Sequence, residues 1–203
     1  TTLRYFDMIL DEYIVIVSLR GSLLNISPFI YPEIKKEYIE NFRKVNAFHS
    51  VSEDIKIKSK TFIEQDKIIE VIRPGVSEDL ISPIRCFKAF GQNTKLKIIS
   101  VGGNKWVKGF TYAIDAMKIL KKMGLKFEYT IIAPGLDNQN IKYQIENLNL
   151  KDNINYIPGL SYESVLAEMR KNHIYLLPSI SEGIANVVIE AMAIGLPVVS
   201  TNC

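Results

Sequence analysis

The chain has little of what disulfide scaffolds, metal sites and membrane spans are built from. Only two cysteines, Cys86 and Cys203, occur in 203 residues, and neither lies in a CxxC or other metal-ligand spacing. That argues against a disulfide framework and a zinc site, and makes a reducing compartment the default. Two histidines, His49 and His173, stand in apolar company without a Ser, Cys or ligand partner in sequence, so each is expected to be packed and hydrogen-bonded rather than catalytic. Ser100, Ser179 and Ser200 lack a G-x-S-x-G elbow, which leaves nucleophilic hydrolysis without support. No apolar run is long enough to span a bilayer. There is no signal peptide, and the first residue is Thr1 rather than Met, so a piece of a longer protein is expected. The expected location is cytoplasmic, with peripheral contact at the inner membrane surface as an accompanying expectation.

Charge of one sign is also scarce. Lys and Arg number 25 against 22 Asp and Glu, a net charge of +3 that gives no footprint for a nucleic-acid partner. The basic stretches "KKEYIENFRK" (35–44) and "IKIKSK" (55–60) are expected to be solvated helix faces. Hydrophobic residues make up 47% of the chain, ample for a buried core.

What is present is alternation. From Leu96 onward, β-branched runs ("LKIISVGG", "FEYTIIAPG", "INYIPG", "IYLLPS", "PVVST") alternate with helix-period segments ("FTYAIDAMKILKKMG", "IKYQIENLNL", "YESVLAEMRKN", "NVVIEAMAIG"). That order predicts a parallel sheet with crossover helices. Phe110, Ala113, Ile114, Met117 and Leu120 fall on one helical stripe, and Gly124 ends it. The earlier part reads the same way: strands at "YIVIVSLRG", "NAFHSVS" and "KIIEVIRPG", with helices over about 33–45 and 53–64. Between the halves, residues 73–95 hold prolines and glycines without a clean period, which predicts an irregular connection and a domain boundary near residue 93. The expected fold class is α/β, with domains over 1–93 and 94–203.

In a doubly wound sheet, ligands sit where strands end and helices begin. "PSISEGIANVVIEAMAIGLPVVST" places Glu182 on such a loop, Asn186 as a helix N-cap and Glu190 in the first helical turn. Backbone N–H groups around Gly183 to Val187, through Ile184, Ala185 and Asn186, would then suit a phosphate or diphosphate. The two carboxylates cannot bind that anion, but each can accept hydrogen bonds from sugar or ribose hydroxyls. The plainer reading makes Glu182 a surface residue and Glu190 a helix-dipole partner. In "VGGNKWVKGF", Lys108 and Gly109 precede a helix N-terminus, where a cation is the wrong charge unless an anion is held there. The same loop fits G-x-G-x-x-G poorly, which argues against a nicotinamide or flavin.

Taken together, "VGGNKWVKGFTYAIDAM", "TIIAPG" and "PSISEGIANVVIEAMAIGLPVVST" resemble the family 4 retaining glycosyltransferases of the GT-B fold, in the branch of polysaccharide and glycan assembly. "VSLRGS", "FHSVSEDI" and "VIRPGVS" are similar to the last third of that fold's N-terminal domain, so the likeness covers nearly the whole chain. The resemblance implies two Rossmann-like domains, with residues 1–93 the end of the acceptor side and 94–203 the donor side. It implies a nucleoside diphosphate sugar as donor substrate, a glycan or lipid-linked acceptor and no cofactor. Glu182 matches the glutamate beside the donor sugar, Glu190 the one on the ribose, and Lys108 the lysine on the diphosphate; Glu182 and Lys108 are thus the expected catalytic pair. The family's second phosphate ligand, an arginine, is replaced by Gly103, with Lys105 as a substitute. A histidine–glycine pair is replaced by Arg20 and Gly21. These departures support the alternative of a nucleotide-sugar binding or scaffold protein without transfer activity. No Asp-x-Asp pair occurs, so the expected balance of the diphosphate charge is Lys108 and helix N-termini rather than a metal.

Overall fold

Most strands are short β-branched runs, and within each unit α-helices carry the chain back between strands for a parallel neighbour. The computed structural model describes residues 13–81, 94–135 and 138–203. It divides into two units: one runs up to Gly75 and takes in Ser181–Ala185, and the other comprises Val76–Ile180 and Asn186–Cys203. The boundary expected near residue 93 falls on residues outside the described ones. Of the described part of the connection, Arg73–Gly75 groups with the first unit and Val76–Ile81 with the second.

In the first unit, β1 (Ile16–Leu19), β2 (Ala47–Ser50) and β3 (Ile68–Val71) form a parallel sheet in that order. The helices are α1 (Gly21–Asn25), α2 (Ser27–Ile30), α3 (Pro32–Phe42) and α4 (Glu53–Ser59). α1 and α2 lie within "GSLLNISPFI", which beyond Gly21, the expected end of the first strand, the sequence leaves without an assigned element. α4 is shorter than the expected 53–64 because the chain turns at Ser59, whose carbonyl accepts from Phe62 N and Ile63 N. That turn buries Phe62 and Ile63 in the core with Leu19, Phe42, Phe48 and Ile55. Tyr38 stacks on Phe42 at 4.9 Å, and Phe42 meets Phe48 edge-on at 5.1 Å.

The second unit follows the sequence pattern closely. β4 (Leu96–Val101), α5 (Phe110–Lys122), β5 (Phe127–Ile132), α6 (Gln139–Asn147), β6 (Ile154–Ile157), α7 (Tyr162–Arg170), β7 (Ile174–Leu177), α8 (Asn186–Ala193) and β8 (Val198–Ser200) alternate along the chain. The sheet is parallel throughout, in the order β6-β5-β4-β7-β8. Strands β4 to β6 run outward one way and β7 to β8 the other, so the order reverses between β4 and β7. That reversal is where an open α/β sheet holds ligands. α5 buries Phe110, Ala113, Ile114 and Met117, the stripe expected from its period, against β5 residues that are almost entirely inaccessible. Among the described residues, no helix is long and apolar enough to cross a membrane.

Candidate functional site

At the switch point the two loops lock together through backbone. β4 ends at Val101, Gly102 and Gly103 lead out of it, a short 3-10 helix Trp106–Lys108 follows, and Gly109 turns the chain into α5 with φ of 66°. A Cβ on Gly109 would lie 1.9 Å from the carbonyl oxygen of Pro178, just past β7, so only glycine fits this approach. Ile180 N donates to Val107 O at 2.8 Å beside it. Lys108 is half-buried, and its methylenes lie over Gly102: a Cβ there would sit 3.3 Å from Lys108 Cδ. The cation is thus held at the carboxyl end of β4, just before a helix of 13 residues. Gly103 faces open space, where a Cβ would meet nothing within 4 Å. Lys105 does not share the position of Lys108; it lines a cavity with Trp106 and Asn140.

The polar groups beneath the switch point are committed to the sheet. Ser100 Oγ donates to Leu176 O of β7 at 2.5 Å and accepts from Tyr129 OH of β5 at 2.8 Å. Burial pushes the Tyr129 phenol well above its ordinary value, although the bond to Ser100 works against it. Tyr175 OH donates to Val101 O at 3.0 Å. His173 Nδ1 accepts from Lys97 N at 3.0 Å, so this histidine bridges β7 and β4 as a packed residue. Thr201 N donates to Leu177 O at 3.1 Å, fixing the exit of β8.

On α8 the helix begins at Asn186 itself, one residue earlier than expected. Asn186 is therefore the first helical residue rather than the cap, and Glu190 lies beyond the first turn, whose acidic content is nil. The helix-dipole reading of Glu190 loses its basis, since that effect fades within one turn. Glu190 is half-buried and its Oε1 accepts from Tyr162 OH of α7 at 3.3 Å. The Tyr162 phenol is held above its usual range, by desolvation first and by the Glu190 charge second. Tyr162 is a partner that sequence reasoning missed, because a contact across 28 residues leaves no local pattern.

The Ser181–Ala185 segment belongs to the first unit. Gly183 approaches Gly21 so closely that a Cβ on Gly183 would lie 2.6 Å from Gly21 N. Asn25 Nδ2 donates to Ser181 Oγ at 3.3 Å and to the Glu182 carbonyl at 3.1 Å. Ile184 and Ala185, like Glu182 and Gly183, are half-buried. Arg20 is exposed, and its Nε donates to Ser18 Oγ at 2.9 Å. His49 lies 3.0 Å from Ser18 Oγ through Nδ1 and 2.9 Å from Ile72 O through Nε2. A carbonyl only accepts, so the Nε2–H of His49 donates to Ile72 O, and the Ser18 hydroxyl oxygen accepts from Arg20 Nε. Among the described residues, no group of three or more His, Cys, Asp or Glu side chains could hold a metal ion.

Known proteins share both sequence and architecture with this chain. The putative colanic acid biosynthesis glycosyltransferase WcaL of Escherichia coli is 39% identical over 141 residues, 66% of this chain and 34% of its own length. The amylovoran biosynthesis glycosyltransferase AmsK of Erwinia amylovora is 38% identical over 113 residues, 53% of this chain and 28% of its own. The chain thus spans about a third of the length of these curated relatives. Among solved structures, the sucrose-phosphate synthase of Thermosynechococcus elongatus superposes with a TM-score of 0.81 at 15% identity, over 99% of this chain and 54% of that one. Anabaena HepE, in complex with UDP and glucose, gives 0.80 at 13% identity, over 99% and 57%. At such identities the likeness is one of fold, and it is the GT-B fold of two Rossmann-like domains. The family model for glycosyl transferases group 1 matches residues 86–203, more than half of the sequence, and the chain belongs to that family.

Proposed function

We propose that this protein transfers a sugar from a nucleoside diphosphate sugar to a hydroxyl acceptor in polysaccharide assembly, as a family 4 enzyme that retains anomeric configuration. The observation that carries the proposal is Lys108, a half-buried cation laid over Gly102 at the switch point, immediately before the α5 N-terminus. Positive charge gathered at one strand end is suited to an anion, and a diphosphate leaving group supplies it. The names of the WcaL and AmsK relatives, colanic acid and amylovoran biosynthesis glycosyltransferases, favour polysaccharide assembly, and the UDP complex of HepE makes UDP the first nucleotide to try.

In this reading the second unit is the donor side and the first the acceptor side. Glu190, positioned by Tyr162, accepts from the ribose hydroxyls, while Gly103 and the N-terminal residues of α8 approach the diphosphate with backbone N–H groups, and Gly109, its own N–H donated to Trp106 O, shapes the turn beside it. Glu182 and the Gly183–Ala185 backbone stand by the donor sugar, and Arg20 faces an anionic group of donor or acceptor. The bond from the anomeric carbon to the diphosphate breaks as the acceptor oxygen bonds to the same face. The acceptor proton passes to the leaving phosphate oxygen, so the protein contributes positioning and charge stabilisation. The acceptor is a glycan or a lipid-linked glycan, met by peripheral attachment at the inner membrane surface, and no cofactor takes part.

The open space at Gly103 favours a second reading, a nucleotide-sugar binding protein without turnover, because the family's second phosphate cation is missing there. Time-resolved NMR of the first sugar released from UDP-glucose separates the two. Transfer with retention predicts that the α-anomer appears first and that Glu182→Ala removes turnover. Release of the β-anomer contradicts retention, and bound nucleotide without release supports the binding protein.

A further inference from the structure

The β4–α5 turn also lines a cavity of about 260 Å³ set between the N-terminal ends of α5 and α6. Asn104, Lys105, Trp106, Thr111, Asn138 and Asn140 are among the residues around it. Its walls are fixed. Asn138 caps α6 by accepting from Ile141 N at 3.2 Å, and its Nδ2 donates to Asn104 Oδ1. Asn104 N in turn donates to Pro134 O at 3.3 Å, tying the loop to the end of β5. Trp106 remains 66% exposed, a large apolar ring left at a polar opening. Lys105 is the one charged residue among the described lining residues.

An aromatic ring beside several amides is suited to a pyranose, whose C–H face packs on the ring while its hydroxyls pair with amide donors and acceptors. The volume lies just below the roughly 300–1,000 Å³ of pockets for drug-sized ligands, which suits a single ring. A lone exposed cation adds a charge-assisted partner for an anionic substituent. We propose that this cavity is a carbohydrate subsite separate from the donor site, taking one carboxylate-bearing pyranose of a glycan acceptor or product. Lys105 is thereby assigned to the glycan rather than to the diphosphate. The subsite rests on the glycosyltransferase reading only for its place on a glycan substrate.

Trp106 is the single tryptophan of the chain, so its fluorescence and its indole N–H resonance report on this cavity with no second indole to separate. The protein is titrated with methyl glucuronide and methyl glucoside, each with and without saturating UDP. A saturable change is expected for both sugars, with Kd about fivefold lower for the uronide, the margin of a charge-assisted over a neutral hydrogen bond. UDP leaves both values unchanged, Lys105→Met removes the preference, and the exposed-site substitution Asn140→Ala weakens both sugars. No saturable response to either sugar, equal affinity for the two, or competition by UDP overturns the proposal. Uronide binding by a protein that binds none of UDP, GDP and ADP sinks the donor reading and leaves the subsite standing, whereas nucleotide binding without a sugar response does the reverse.

Discussion

At the scale of single residues, the switch point depends on backbone approach and on one buried hydroxyl. Gly109→Ala forces a Cβ into the Pro178 carbonyl at a left-handed backbone conformation. The penalty for that conformation is about 1–2 kcal/mol and overpacking adds about 1–3 kcal/mol, so urea unfolding is expected to show a loss of about 3 kcal/mol or more. An alanine variant as stable as the parent contradicts the close approach. Ser100→Ala removes the acceptor of the buried Tyr129 hydroxyl and the donor to Leu176 O, cutting a link across β5, β4 and β7. The expected cost is about 1–3 kcal/mol, recovered in large part by the double substitution Ser100→Ala with Tyr129→Phe, which leaves no orphaned hydroxyl. A double variant no more stable than Ser100→Ala alone removes that explanation.

At the scale of elements, α1 is where the sequence said least and the structure adds most. Its last residue, Asn25, holds the Ser181 hydroxyl and the Glu182 carbonyl, while its own Oδ1 is buried without a partner. Asn25→Ala is expected to leave stability nearly unchanged, since it removes an unsatisfied acceptor along with the two bonds, but to speed amide exchange within Ser181–Ala185 by about tenfold, the equivalent of about 1.4 kcal/mol of local opening free energy. Exchange that matches the parent argues that the segment is held by Gly21 and Val51 packing instead. The contrast with the second unit is instructive. Its strands and helices were legible because β5 is buried on both faces and α5 keeps a strict apolar stripe, so local pattern and tertiary role coincide. The short α1 and α2 have four or five residues each, too few to show a period. Glu190 misled by one helical position because Asn186, a good cap by type, is the first residue of α8. The Tyr162–Glu190 bond, the Gly21–Gly183 approach and the Trp106 cavity are long-range juxtapositions, and nothing in residue spacing announces them.

At the scale of the whole molecule, a net charge of +3 gives the chain no strong field of one sign. What the chain offers instead is a group 1 glycosyltransferase architecture, with a cation and a helix N-terminus at a switch point and a carboxylate set one strand away on α8. The central claim is that these hold a nucleoside diphosphate. Calorimetric titration with UDP, GDP and ADP, run beside Lys108→Ala and Glu190→Ala, tests it most directly. One nucleotide is expected to bind, and each substitution to weaken it by about tenfold or more, as loss of a charge-assisted hydrogen bond of about 1.5–3 kcal/mol implies. Binding that neither substitution weakens, or no binding of any of the three, contradicts the account.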